Sequence, residues 1–532
     1  MAETRISDVP EADKKSAGLQ VIVLGSGGGP VEHNTTAFLV RSIARDWKRG
    51  SVIAVDAGVH LGAMVRILES SQPQNLGTQV PLPHILQDGP FSGLELRSPS
   101  PTTNAAFITQ SIIDTYLITH PHLDHISAFV VNTAGLPSSR PKRLAGLPST
   151  IAAFKTHIFN NVIWPNLSDE NNGAGLVTYM RLVEGGSPAM GEGDDKGYME
   201  VSDGLAVKTW GVSHGHCIEN HSHRGSQSSQ GGRVGSTDAS SGASPIPRSQ
   251  SHPYSLAAGS SSSLTPSRLA PLWNQPTQNL LMEESKEKIC VYDSSAYFIR
   301  DIESGKEVLI FGDVEPDSIS LSPRNLLIWQ EAAPKVASGA LQGIFIECSY
   351  DNSQPIDRLF GHLKPCFVIE ELKVLAREVE SERKSALGET KKRKRGESQS
   401  VGTVGVESPL TVRRRVREEP LSPKSLNPDL SPSRGPAGKR VEISAKSTVV
   451  AVSSARASPD DDEGSGSSSP AAAAPKKLAL EGLKVVLIHV KDRLADGYDV
   501  GEKILQELRD EEEVAQLGCE FIVSTQGQSI LF

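Results

Sequence analysis

Cysteine is scarce in this chain. Five residues in 532, Cys217, Cys290, Cys348, Cys366 and Cys519, lie scattered with no pairing spacing. So small and odd a set excludes a disulfide framework and suits a reducing compartment with free thiols. Long apolar runs are missing too. None approaches the ~20 residues of a membrane-spanning helix. The N-terminus, MAETRISDVPEADKK, lacks the apolar segment of a secretory signal. Excess positive charge is absent: the formal net charge is −9, which excludes nucleic-acid binding by the whole chain on electrostatic grounds. The expectation is a soluble protein of the cytoplasm, with the nucleus as a further compartment, and no membrane partner. Its oligomeric state is left open.

Glycine and proline are plentiful, at 47 and 34 residues, and concentrate in particular segments. With 37% hydrophobic residues, the remainder still suffices for a sizeable core. LQVIVLGSGGGP (19–30) reads as an apolar strand running into a glycine turn, and TAFLVRS and SVIAVDAG as two further strands. GAMVRILESS reads as a short helix. TQSIIDTYLIT reads as helix giving way to strand, and STIAAFKTHIFNNVIWP as a helix stopped by Pro165. LAVKTWGVSH is another strand.

Residues from about 222 to 285 are then rich in Ser, Gly, Gln and Pro, a composition that cannot bury enough apolar surface to order itself. KICVYDSSAYFIRD and EVLIFGDVEPD follow as a hairpin, GALQGIFIECSY as a strand and FVIEELKVLAREVES as a helix. A second polar insert spans about 386–476, with KKRKRG, VRRRVREEP and several Ser-Pro pairs. LKVVLIHV, GEKILQELRDEEEVAQ and CEFIVSTQGQSILF close the chain as strand, helix and strand. No solenoid repeat is present. The pattern predicts a disordered tail over 1–17 and a single α/β domain over 18–532, interrupted twice.

One stretch carries chemistry. LITHPHLDHISAF (117–129) places His120, His122, Asp124 and His125 within six residues, directly after an apolar run. Imidazole and carboxylate are ligands for Zn²⁺ and similar ions. On extended backbone, positions i and i+2 face the same way, so His120 and His122 can grip one ion. A turn would then aim Asp124 and His125 at a second, with Leu123 and Ile126 anchoring the loop to the core. Histidines capping a strand are the bland alternative, but four such groups without a partner would be costly to bury.

The motif H-x-H-x-D-H after a strand resembles that of the metallo-β-lactamase superfamily, and HPHLDHISAF more specifically resembles the class II cyclic-nucleotide phosphodiesterases. VLGSGGGPVEHNTTAFLV, HIFNNVIWPNLSD, WGVSHG, SAYFIR, IFGDVEPDS, IFIECSY, LFGHLKP and VLIHVKD follow in that family's order. The resemblance implies a four-layered αββα sandwich holding two divalent transition-metal ions, zinc first. It implies His120, His122 and His214 on one ion, Asp124, His125 and His489 on the other, and Asp313 bridging them. His216 is a weaker candidate than His214, and His221 and His223 read as solvated.

By the same resemblance, His362 in RLFGHLKP is the general acid or a phosphate ligand, with Lys364 as a rival phosphate contact. Asp124 counts among the catalytic groups as well as the ligands. Asp56 reads as an orienting residue rather than a ligand. Glu315 and Asp317 are expected to shape the loop after Asp313, and Asn160, Asn161, Trp164 and Asn166 offer a weak case for substrate contact. The glycine turn GSGGGP departs from the dinucleotide-binding pattern at Pro30 and reads as a tight turn near the metal site.

The implied reaction is hydrolysis of cyclic AMP, with cyclic GMP as alternative, by a two-metal-bound hydroxide that yields the nucleoside 5′-monophosphate. Two competing readings remain: a tRNA 3′-processing endonuclease on the same scaffold, whose basic clamping arm the ordered segments lack, and a non-catalytic scaffold acting through its inserts. KKRKRG with RRRVR reads as a nuclear-import signal or a nucleic-acid-binding tail, and equally as a solvated charge run.

Overall fold

The computed structural model describes residues 17–135, 140–219, 288–397 and 477–532. The expected N-terminal tail, the insert at 222–285 with His221 and His223, and most of the insert at 386–476 therefore lie outside the described residues. Contacts divide the chain into two units, Met1–Leu387 with Lys477–Phe532, and Gly388–Lys476. Of the second, only the helical residues 388–397 are described.

In the first unit the chain begins with β1 (Leu19–Gly25), β2 (Ala37–Ser42), β3 (Val52–Val55) and helix α1 (Leu61–Ser71). A small hairpin, β4 (His84–Ile85) and β5 (Glu95–Leu96), leads to α2 (Pro101–Phe107), β6 (Ile113–Leu117) and α3 (Leu123–Gly135). Then come β7 (Lys142–Gly146), α4 (Pro148–Ala153) and β8 (Val177–Arg181). The second half holds β9 (Met199–Ser202), β10 (Leu205–Glu219), β11 (Lys288–Asp301), β12 (Glu307–Phe311), α5 (Asn325–Ser338), β13 (Leu341–Glu347) and α6 (Pro365–Glu397). It ends with β14 (Lys484–Ile488), α7 (Val500–Ala515), β15 (Glu520–Val523) and β16 (Ser529–Leu531).

Two seven-stranded sheets result, in the orders β16-β1-β2-β3-β6-β7-β8 and β15-β14-β13-β12-β11-β10-β9. Each is antiparallel over one half and parallel over the other: β3, β6, β7 and β8 run parallel in the first, and β12 to β15 in the second. The sheets pack face to face through Val21, Val23, Phe38 and Val40 on one side and Tyr297, Ile310, Phe345 and Val486 on the other.

Helices cover both outer faces. Met64 and Leu68 of α1 and Phe129 of α3 pack on the first sheet, while Trp329 of α5, Leu372 of α6 and Ile504 of α7 pack on the second. The layers are αββα, as expected. Burial on both faces explains why LQVIVLG and EVLIF are apolar almost without alternation. In α7, by contrast, Val500, Ile504 and Leu508 form a buried stripe at a spacing of four, with Gly501 buried beside it.

Three elements differ from the sequence reading. The helix after Pro148 ends in a π turn over Phe154–Ile158, well before Pro165. The Asn160 carboxamide oxygen then accepts from the Val162 and Ile163 amides and sets a turn. The last segment is two strands, one in each sheet, so the chain crosses between layers just before its end. Helix α6 continues to Glu397, into the segment read as insert. Its Glu, Lys, Arg and Ala content favours helix on propensity alone. Among the described residues no helix is long and apolar enough to cross a membrane.

Candidate metal centre

Parallel strands present their C-terminal ends on one side of a sheet, where α/β folds commonly gather functional groups. Here Asp56 follows β3, His120 to His125 follow β6, Asp313 follows β12, Glu347 ends β13 and His489 follows β14. His214 comes from a bulge in β10, where the register against β11 shifts between Ser213 and His216. Ligand atoms of His120, His122, His214 and Asp313 lie within 4.8 Å of one another, as do those of Asp124, His125 and His489.

The local backbone differs from the sequence reading in one respect. Strand β6 stops at Leu117 and α3 starts at Leu123, so His120 and His122 stand in a loop and strand alternation does not orient them. Their rings nonetheless sit 4.4 Å apart. Asp124 and His125 occupy the first turn of α3. Ile126 anchors that turn in the core, but Leu123, expected to do the same, is 68% exposed.

A partner on Nδ1 sets the tautomer of each buried imidazole. His125 Nδ1 donates to Asp56 Oδ2 at 2.8 Å. His214 Nδ1 donates to the Gly361 carbonyl at 2.9 Å. His489 Nδ1 donates to Thr36 Oγ1 at 2.7 Å, and that hydroxyl donates onward to the Gly27 carbonyl. Thr119 Oγ1 donates to Asp56 and so accepts from His120 Nδ1 at 3.0 Å. The Nε2 atoms then turn inward. Those of His120, His125, His214 and His489 stand 3.5, 3.2, 3.4 and 3.4 Å from the Asp313 carboxylate.

Nε2 of His120, His125 and His489 and Oδ1 of Asp313 are buried without a hydrogen-bond partner. Buried polar atoms are normally paired. A cluster of unpaired imidazole and carboxylate donors, each oriented by an outer group, fits a metal centre.

Electrostatics agree. Burial would raise the Asp313 carboxyl, but His489, His125, His214 and His120 surround it and hold it well below the usual carboxylate range. Burial pushes His120 and His489 well below their ordinary value, and burial with His214 lowers His122 to about 4. Unprotonated imidazoles are the ligand form. His125 differs: burial lowers it, yet Asp313 and Asp56 outweigh burial and raise it. Asp56 and His489 both adopt positive φ, 55° and 60°, uncommon for non-glycine residues and typical of strain held at functional sites.

His362 joins the same cluster, its ring stacked 5.2 Å from that of His489 and edge-on to that of His214 at 4.8 Å. Its Nδ1 donates to Glu347 at 2.9 Å. Burial lowers its pKa, but Glu347 and Asp313 more than compensate and raise it. Glu347 was not singled out in the sequence. Fully buried, it also accepts from the Val314 amide at 2.8 Å and the Ser349 hydroxyl at 2.6 Å. A charged residue ending the apolar run GIFIE was the available signal.

Other candidates fall away from the cluster. His216 is exposed. Lys364 Nζ donates to the Asn352 and Gln354 carbonyls and braces a loop instead of facing a phosphate. Asn160, Asn161 and Asn166 spend their amides on their own loop, and Trp164 packs on the first core. Asp317 caps α5, accepting from the Arg324, Asn325 and Leu326 amides, and Glu315 accepts from Ser320, so both shape that loop as expected. The glycine turn lies against the site: a Cβ on Gly28 would stand 2.5 Å from the His489 ring.

Two face-to-face sheets, outer helices and a His/Asp cluster at the strand ends define a metal-dependent hydrolase of the metallo-β-lactamase fold. The chain belongs to the class-II cAMP phosphodiesterases, whose family model matches residues 21–222 and 249–389. It is 27% identical over 363 residues to the 3′,5′-cyclic-nucleotide phosphodiesterase of Schizosaccharomyces pombe, covering 67% of this chain and 75% of that one. It is 26% identical over 396 residues to the enzyme of the same name from Candida albicans, covering 68% and 82%. Its fold is similar to the crystal structure of unliganded yeast PDE1, with TM-score 0.53 at 19% identity over 97% of this chain and 99% of that one.

Proposed function

We propose that the protein hydrolyses 3′,5′-cyclic AMP, with cyclic GMP as alternative substrate, to the nucleoside 5′-monophosphate, using two divalent ions, zinc first. His120, His122 and His214 would hold one ion, Asp124, His125 and His489 the other, with Asp313 between them. The observation that carries this reading is the set of unpaired buried atoms, three imidazole Nε2 and one Asp313 oxygen, gathered around the Asp313 carboxylate. Bound there, the ions supply a water of lowered pKa and neutralise charge developing on the phosphate.

The chain's own residues do the rest. Asp56, Thr36, Thr119 and the Gly361 carbonyl lock the ligating rings in one tautomer, so no reorganisation is needed when substrate arrives. With Nδ1 committed to Glu347, His362 keeps Nε2 for the 3′ oxygen that leaves, and the carboxylate favours the protonated ring that can supply the proton.

Incubation of the purified chain with cyclic AMP or cyclic GMP, with and without a chelator, tests the proposal. Chelator-sensitive release of the 5′-monophosphate is expected. No hydrolysis, or hydrolysis indifferent to thorough metal removal, overturns it.

A further inference from the structure

A phosphodiester is an anion, and the residues assigned so far include no fixed cation that meets it. Lys491 follows the last ligand by two positions. Its Nζ donates to the Gly28 carbonyl at 3.0 Å. Gly28 is the residue whose missing Cβ leaves room for the His489 ring. The backbone around Lys491 is held on both sides: Gly28 N donates to Val490 O at 3.1 Å, Val490 N to Ser26 O at 3.3 Å and Asp492 N to Gly29 O at 3.1 Å. On the other flank Lys491 N donates to Ser349 O at 3.1 Å. The Ser349 hydroxyl donates to Glu347, the carboxylate that orients His362. Lys491 thus stands on a short, rigid ladder linking the glycine turn to the groups that hold His362 and His489.

Lys491 is only partly exposed, and among the described residues no carboxylate lies within ion-pair distance of it. An ammonium has three donors, and a single carbonyl takes one. Its Nζ is held by the carbonyl of the very residue that packs on the His489 ring, which places the charge beside the site. A partly exposed ammonium with donors to spare can take an anionic oxygen as a charge-assisted partner.

We infer that Lys491, seated on the glycine turn, is a phosphate-binding residue that docks the anionic group of the nucleotide beside His489 and His362. The inference rests on the proposed phosphodiesterase reading. It also gives the glycine turn a role: the Gly28 carbonyl fixes the ammonium while the missing Cβ leaves room for the His489 ring.

The test uses the full chain loaded with zinc, as wild type, Lys491→Met and Lys491→Arg. Binding of 5′-AMP and of adenosine is measured by calorimetry, and cyclic AMP turnover separately. Lys491→Met should weaken 5′-AMP about 10- to 100-fold, the range of a lost charge-assisted hydrogen bond, while adenosine affinity and zinc content hold. Lys491→Arg should restore most of the 5′-AMP affinity. Unchanged 5′-AMP binding in Lys491→Met overturns the inference, as does failure of the wild type to bind 5′-AMP. Equal weakening of 5′-AMP and adenosine, or loss of zinc, also overturns it, because each is what a purely structural prop for the glycine turn would produce. Wild-type protein that binds 5′-AMP through Lys491 but does not hydrolyse cyclic AMP would sink the proposed reaction and leave the phosphate contact standing.

Discussion

His362 and Asp313 separate two kinds of work within one cluster. Asp313 is surrounded by imidazole Nε2 atoms, so its removal leaves both proposed ion sites short of a ligand. Asp313→Ala should lower zinc content at both sites in elemental analysis, while His216→Ala, on an exposed side chain, should lower neither. If His216→Ala empties a site and His214→Ala does not, the ligand assignment moves by two residues. His362 has a carboxylate behind it and completes neither ligand triad. His362→Ala should retain both ions and lose about 10²–10⁴ in turnover on cyclic AMP, as for a lost general acid. A diester with a better leaving group should lose far less, because it needs less protonation. Equal slowing of the two substrates would leave His362 as a phosphate contact only.

At the scale of elements, the site depends on turns where side chains are forbidden. Gly361 has φ +81°, and a Cβ there would stand 2.6 Å from the Gly215 amide nitrogen, beside His214. Its carbonyl is also the acceptor for His214. Gly361→Ala should therefore cost about 1–3 kcal/mol in backbone strain and reduce zinc content as well. Gly339, which ends α5 at φ +80° with open space around it, is the control. Gly339→Ala should cost about 1 kcal/mol, the penalty of left-handed backbone alone, and leave zinc untouched. Thermal melts with metal analysis on both variants decide the matter. Equal metal content in the two would mean that the Gly361 turn does not position His214.

At the scale of the whole molecule, the first insert hangs from a closed hairpin. Glu219 pairs with Lys288 at the last described rung of β10 and β11, so a short loop can join the strands. We expect deletion of residues 224–284 to leave folding and hydrolysis intact, because their Ser-, Gly- and Pro-rich composition has too little apolar surface to join a core. Deletion of 390–475 should behave likewise, since Gly388–Lys476 separates as its own unit. Insoluble protein or lost zinc after either deletion, read by gel filtration and elemental analysis, would refute that domain arrangement.

What was written into the sequence by itself was the set of short-range patterns. Apolar runs of strand length mark β1, β12 and β14, because a strand buried on both faces needs no polar alternation. Four ligand-type residues within six mark the loop after β6, because a metal site concentrates groups that are otherwise costly to bury. Tertiary structure decided what no local pattern encodes. The final segment is split between two sheets only because each half finds an open edge in a different layer. Glu347 and Thr36 come to the cluster from separate parts of the chain through hydrogen bonds to His362 and His489, and Lys491 meets the glycine turn only across the fold. The orientation of His120 and His122 likewise came from the loop's packing against Asp313 and His214 and not from strand alternation, since the strand had already ended at Leu117.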